Sequence, residues 1–251
     1  MHSRPRVAHA VAGAVAVTRV KRAATKKCAA RAGRTRARVA TKSLEIIPSP
    51  LVKNEEELRE RIERIRGLVE WVHYDVMDGV FVPNTTFADP LIVGVHLSSF
   101  HVEVHLMVAN PLERIASWRE EGAERFLIHA ESVANLEAVV VEVKSHGAEV
   151  GIAVNPDTEI SVLIPVISKI DCVVVMGVRP GFSGQSHDPH TADRVRQVRE
   201  LHATLPIEVD GGVDADTAPA LVAAGATRLV TTSYLFGNDD VAGAIQRLKT
   251  A

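Results

Sequence analysis

A closed α/β barrel of eight strand-and-helix units is the fold class this sequence predicts, on three observations. From about residue 43 to the C-terminus, short apolar runs alternate eight times with amphipathic stretches, the rhythm of parallel strands joined by helical crossovers. The 251-residue chain, 46% hydrophobic, is long enough to bury the core of one such barrel, or of two small domains. The competing architecture, a doubly wound open sheet, usually announces itself with a glycine-rich dinucleotide loop after its first strand. Here that strand ends Ile47-Pro48-Ser49-Pro50.

Taken in order, the first strand is LEIIPS (44–49), followed by the helix NEEELRERIERIRG (54–67). The second strand, VEWVHYDVM (69–77), has the least regular crossover. HVEVHLMV (101–108) leads into NPLERIASWREEGA (110–123), and RFLIHAE (125–131) into SVANLEAVVVEVKSHGA (132–148). EVGIAVN (149–155) precedes the predicted helix DTEISVLIPVISKI (157–170), and DCVVVMGV (171–178) precedes TADRVRQVRELHAT (191–204). IEVDG (207–211), a helix from Asp216 to Gly225 and TRLVTTS (227–233) complete the set. Helices opening on Asn or Asp and closing on Gly, as at Asn110 to Gly122 and Asp216 to Gly225, match the chemistry of helix caps.

A net charge of −2 conceals an asymmetry. Residues 1–42 hold twelve of the 29 Lys and Arg and no Asp or Glu, which leaves 17 basic against 31 acidic side chains in the rest. Two regions follow: a basic, unstructured arm over 1–42 and a catalytic barrel domain over 43–251. The arm, rich in Ala, Arg, Thr and Val, looks like a transit peptide for plastid or mitochondrion; the alternative is a disordered basic tail or misassigned start on a cytoplasmic protein. Its apolar residues cluster too weakly to span a membrane, and its lack of aromatics for base stacking argues against nucleic acid as a partner. Cys28 and Cys172 form neither a disulfide framework nor a CxxC metal motif, so Cys172 reads as a small core residue in a reducing compartment.

Alternation along a strand points every second side chain the same way, so His73, Asp75 and Met77 share a face. Glu103, His105 and Met107 do the same on the third strand, and Glu208 and Asp210 on the seventh. Barrels carry their chemistry at the C-terminal ends of their strands. Two imidazoles and two carboxylates arriving there, His73, Asp75, His105 and Asp210, suit one divalent ion: Zn, Mn or Fe(II). Met77, Met107 and Met176 all fall at strand ends, and spacing alone favours ordinary core filling for them. Glycines gather late, in RPGFSGQ (179–185) and DGGV (210–213), ahead of the small-residue run Thr231-Thr232-Ser233. This part of a barrel commonly binds phosphate through backbone N–H groups. His129 and Glu131 share a face of the fourth strand and are read as supporting neighbours rather than ligands. His96, His146, His187, His190 and His202 read as loop or helix-surface residues.

The segments IIPS (46–49), HYDVMDGVFVPN (73–84), VHLMV (104–108), VMGVRPGFSGQ (175–185) and EVDGGV (208–213) together resemble the ribulose-phosphate 3-epimerases, from about Leu44 to the C-terminus. The resemblance implies a TIM barrel of the ribulose-phosphate-binding type, and a homo-oligomer acting on a sugar phosphate. The implied reaction interconverts D-ribulose 5-phosphate and D-xylulose 5-phosphate through an enediolate. It implies that His73, Asp75, His105 and Asp210 bind the metal and that Asp75 and Asp210 are the acid/base pair. Ser49 and His105 would contact substrate, and the three methionines would pack by the reacting carbons, reversing the reading from spacing. Gly181, Gly184, Gly211, Gly212, Thr232 and Ser233 would line the substrate's phosphate end.

Several positions depart from that family's pattern. Arg179 stands in place of Asn, Gly177 of Ser, Thr232 of Gly and Glu103 of Asp, and these bear on substrate more than on reaction type. Arg179 is either an added oxyanion contact or a solvated loop charge. A ketohexose-phosphate 3-epimerase is the close variant, and a paralogue that binds sugar phosphate without turnover is the alternative from another class. A decarboxylase is disfavoured because the Asp-x-Lys-x-x-Asp signature is missing around Glu103-Val104-His105.

Overall fold

The computed structural model describes residues 44–251; the basic arm, its transit-peptide reading and Cys28 lie outside the described residues. Eight strands form one parallel sheet: β1 Glu45–Pro48, β2 Trp71–Met77, β3 His101–Met107, β4 Ala123–His129, β5 Glu149–Val154, β6 Cys172–Met176, β7 Ile207–Asp210 and β8 Arg228–Thr231. Their order, β1-β8-β7-β6-β5-β4-β3-β2, brings β1 round beside β2, so the sheet forms a nearly closed barrel.

Alternation divides the side chains between two cores. On β6, Val173 and Val175 face outward into the large apolar layer beneath the helices, whereas Cys172, Val174 and Met176 point inward with Leu127 and Ala153. Cys172 is the buried core residue its apolar run predicts. Because both faces are covered, the strands read as nearly continuous apolar runs.

The helices are α1 Glu55–Ile65, α2 Pro90–Leu97, α3 Leu112–Glu120, α4 Leu136–Ser145, α5 Thr191–Leu201, α6 Ala218–Ala224, α7 Ser233–Phe236 and α8 Val241–Lys249. Asn54 caps α1 by accepting from the Glu57 N–H, and three glutamates in the first turn suit the positive end of the helix dipole. The irregular second crossover is α2, with Asp89 accepting from the Ile92 N–H and Pro90 in the first turn, where no N–H is needed. Gly225 ends α6 at φ 116°, where a side chain would be strained.

Three local expectations are corrected. The predicted helix over 157–170 is a short 3₁₀ turn, Ile160–Leu163, followed by further turns. Pro165 stands in mid-segment, where its ring and missing N–H break an α-helix. The third-crossover helix starts at Leu112 behind Pro111, with no side-chain cap from Asn110. Ahead of α6, Asp214 rather than Asp216 accepts the Asp216 and Thr217 N–H groups.

Candidate active site

Register brings the polar residues together. In the β2–β3 ladder His73 pairs with Glu103, Asp75 with His105 and Met77 with Met107; across β6–β7, Met176 pairs with Asp210. A two-residue period on each strand and an in-step neighbour thus set Met77 and Met107 one layer above Asp75 and His105, while Met176 stands level with Asp210. Donor atoms of His73, Asp75, His105 and Asp210 all lie within 4.8 Å of one another. His73 Nε2 is 3.2 Å from Asp75 Oδ1 and 3.8 Å from Asp210 Oδ2; His105 Nδ1 is 3.0 and 3.4 Å from the same two oxygens. Two imidazole nitrogens and two carboxylate oxygens converging in this way fit a divalent ion of the Zn, Mn or Fe(II) class.

The electrostatics agree with that donor set. Burial alone would push both imidazoles toward the neutral form, yet the Asp75 charge, hydrogen bonds to Asp75 and Glu103, and the nearby Glu208 carboxylate hold the His73 pKa well above its ordinary value. His105 is raised against burial by its bonds to Asp210 and Asp75. Burial would raise Asp75, but the His73 charge and the His105 and His73 hydrogen bonds hold it well below the carboxylate range. The cluster attracts positive charge, as protons or as a cation. Ser49 Oγ donates to Asp75 Oδ2 at 2.6 Å and fixes the carboxylate's orientation.

Beneath the ligating layer lies a polar floor. His73 Nδ1 meets Glu103 Oε1 at 2.8 Å, and Glu103 Oε2 accepts from Arg125 Nη1 at 2.5 Å. Burial would raise Glu103, but His73 and Arg125 bring it down to about 2. Glu208 is fully buried; its Oε1 lies 3.4 Å from His73 Nδ1, and neither oxygen has a partner in hydrogen-bond geometry. Burial and the Glu103 charge push its pKa up to about 7. Behind His105, its Nε2 approaches His129 Nε2 at 2.8 Å, while His129 Nδ1 meets Glu131 Oε2 at 3.2 Å. His129 thus backs His105 and lies outside the four-residue cluster.

Above the ligating layer opens a cleft lined by Asp75, Met77, Met107, Met176, Gly181, Gly184, Asp210, Gly211, Gly212, Thr232 and Ser233. Ser49, His73 and His105 sit below it, fully or almost fully buried. Leu51, Phe182, Gln185 and Val213 line it too. Nothing in residue type distinguishes these four, and their loop positions were the only available signal. Gly211 and Gly212 have φ of 105° and 67°, left-handed conformations that turn the chain back immediately after Asp210.

Two departures acquire a physical account here. A Cβ on Gly177 would collide with the Gly211 carbonyl oxygen and the His187 ring. That ring is half-buried and bonds through Nδ1 to the Gly211 oxygen at 2.8 Å, so His187 is a wedge between loops and not the surface residue its sequence context predicts. Thr232 has φ −119°, which any residue adopts, so the absence of Gly there strains nothing. Arg179 lies outside the cleft lining; its guanidinium bonds to Asp157 at 3.0 Å and both side chains are well exposed.

The family model described as "Ribulose-phosphate 3 epimerase family" matches residues 45–236. A relative named ribulose-phosphate 3-epimerase from Chlamydia pneumoniae is 41% identical, over 69% of this chain and 79% of its own length. The Arabidopsis thaliana ribulose-5-phosphate-3-epimerase, named chloroplastic, is 36% identical over 82% of this chain and 76% of its own. Among solved structures, KGPDC from Streptococcus mutans in complex with D-R5P superposes with a TM-score of 0.68 at 12% identity, over 82% of this chain and 96% of that one. A 3-hexulose-6-phosphate synthase gives 0.62 at 16% identity, over 82% and 99%. At such identity the two structures speak for the barrel alone.

Proposed function

The chain belongs to the ribulose-phosphate 3-epimerase family, carbohydrate epimerases, and from that premise we propose that it inverts C3 of D-ribulose 5-phosphate to give D-xylulose 5-phosphate, and the reverse. One observation carries the reading: Asp75 and Asp210 rise from different strands into one cleft, their carboxylates joined by His73 and His105 in a single cluster.

A C3 proton beside the C2 ketone is acidic because the electron pair left behind delocalises onto the carbonyl oxygen. Asp75, kept ionised by its histidines, takes that proton from one face; the C3–H bond breaks and an enediolate forms. The carboxyl of Asp210 returns a proton to C3 on the opposite face as the double bond collapses back to the ketone. The reverse reaction exchanges the two roles. Ser49 fixes the Asp75 oxygen that it bonds. His73, Asp75, His105 and Asp210 would hold a divalent ion, which when bound supplies positive charge for the anion developing on the substrate's oxygens.

Met77, Met107 and Met176, which line the cleft, would pack against the reacting carbons and keep water from them. Backbone N–H groups around Gly181, Gly184, Gly211, Gly212, Thr232 and Ser233 would receive the phosphate, fixing the direction in which C3 is presented. We take the arm to be a transit peptide, supported by its composition and by the chloroplastic Arabidopsis relative; N-terminal sequencing of native protein that still begins at Met1 would refute it. Self-association is the matching expectation for assembly, supported by Leu91 and Val95, which leave apolar side chains exposed on α2. Sedimentation reads it. No helix among the described residues is long and apolar enough to cross a membrane.

The test measures bound metal in the purified full chain, then epimerisation of D-ribulose 5-phosphate beside a ketohexose 6-phosphate. The reading predicts kcat/KM at least about tenfold higher for the pentulose, a margin that a pocket mismatch of one carbon can supply. A reversed preference would move the substrate to the hexulose. Metal-loaded protein with neither activity would leave only a sugar-phosphate-binding role.

A further inference from the structure

Arg125 belongs neither to the ligating cluster nor to the cleft, yet it is 1% exposed in the interior of the barrel, where a charge is costly unless paired. Its surroundings are built for it. Nη1 donates to Glu103 Oε2, Nε and Nη2 both reach Glu149 Oε2 at 2.8 Å, and the guanidinium lies 4.0 Å from the centre of the Trp71 ring. The planar fork thus spans a buried carboxylate on β3 and a half-exposed one on β5, with an aromatic face against its plane. A lysine, with one terminal nitrogen and no plane, could not serve all three.

The other end of Glu103 explains what the fork accomplishes. Glu103 Oε1 meets His73 Nδ1, and the opposite ring nitrogen, Nε2, is the atom that joins the ligating cluster. A ligating imidazole is set by the group on its other nitrogen, which selects the tautomer and fixes the plane of the ring. Glu103 has two carboxylate oxygens and one more side-chain torsion than an aspartate, so it holds His73 only if its far oxygen is fixed. We propose that Arg125 is a positioning residue for the metal centre: by pinning Glu103 Oε2 it holds Oε1 on His73 Nδ1, which turns Nε2 to the ligand position. The inference rests on the metal-dependent reading above. It also assigns a role to the longer Glu103, one methylene of added reach that the buried arginine anchors.

A double-mutant cycle separates this role from simple packing. The probe is Zn(II) affinity of the full-length chain, measured by competition with a chromophoric chelator, in wild type, Arg125→Met, His73→Gln and the double variant. A buried ion pair is often replaceable by apolar side chains without loss of fold, so melting of the metal-free proteins is recorded alongside. If Arg125 acts through His73, Arg125→Met weakens Zn(II) binding about 10- to 100-fold in wild type, the usual effect of losing a ligand's support, and less than about threefold once His73 is already gone. Equal weakening in both backgrounds, or none in either, overturns the proposal. Should Arg125→Met not fold, Arg125→Lys runs the same cycle: it keeps one donor for Glu103, drops Glu149, and is expected to give a smaller loss that again vanishes without His73. Wild-type chain that binds no divalent ion would instead refute the proposed function itself, a result the cycle does not resemble.

Discussion

The two sides of this barrel do their polar work with different parts of the chain. On β2 and β3 side chains carry it: His73, Asp75, Glu103 and His105 alternate along rigid, in-register strands and are almost wholly buried. After β6, β7 and β8, loops line the cleft, and glycine there exposes the backbone instead of adding a functional group. Side-chain chemistry is specific in residue type and tolerates little substitution. Backbone chemistry is specific only in conformation, so it is held by whatever braces the loop, here the His187 wedge against Gly211.

Five substitutions test that contrast. The largest effect is expected from Asp75→Asn or Asp210→Asn, each lowering kcat by about a thousandfold or more, since an amide cannot carry the proton. Retention of even a tenth of wild-type turnover would remove that aspartate from the acid/base pair. On the loop side, Gly211→Ala puts a methyl at φ 105° and 2.5 Å from a Val178 methyl. Left-handed strain of about 1–2 kcal/mol translates into a roughly tenfold rise in KM with a smaller change in kcat. An unchanged KM would mean that this backbone does not receive substrate.

Smaller still is the effect of Glu131→Gln, which probes support behind the ligands. Burial would raise Glu131, but its bonds from His129, Thr158 and the Asn155 N–H hold it at about 2 against an ordinary 4.5. A depressed folded-state pKa stabilises fully above the unfolded value and loses that contribution as pH falls toward the folded one. Between about pH 4.5 and 2 the variant's melting temperature should therefore fall less steeply than that of wild type, Glu103 accounting for slope that remains. Parallel curves in circular dichroism melts would contradict the assignment. Arg179→Asn should do least, changing affinity for any sugar phosphate by less than about twofold, because its exposed pairing with Asp157 contributes little. A larger loss would bring Arg179 back into phosphate binding.

What could be read from the sequence follows the same division. His73, Asp75, His105 and Asp210 were legible because a two-residue period and strand ends are local properties, and the eight apolar runs all fall on strands. The 157–170 crossover has helical spacing but no α-helix, because Pro165 breaks it whatever its neighbours offer. The floor is half visible in the sequence: the strand period puts Glu103 and Glu208 on the inner face, but nothing local marks Arg125. A cation on a strand looks like an edge residue until the β3–β4 ladder, with its irregularity between Val102 and Glu103, sets it beside Glu103. His187 was missed for a similar reason, since nothing local reveals that Gly177 leaves room for its ring.

The central claim, two carboxylates taking turns on opposite faces of C3, is tested most directly by solvent isotope exchange in heavy water. Wild-type chain should place one deuterium at C3 of the epimeric product. Asp75→Asn and Asp210→Asn should each abolish epimerisation while retaining slow C3 exchange in opposite epimers, one in ribulose 5-phosphate and the other in xylulose 5-phosphate. Exchange of the same epimer in both variants, or product formed without deuterium, would contradict the account.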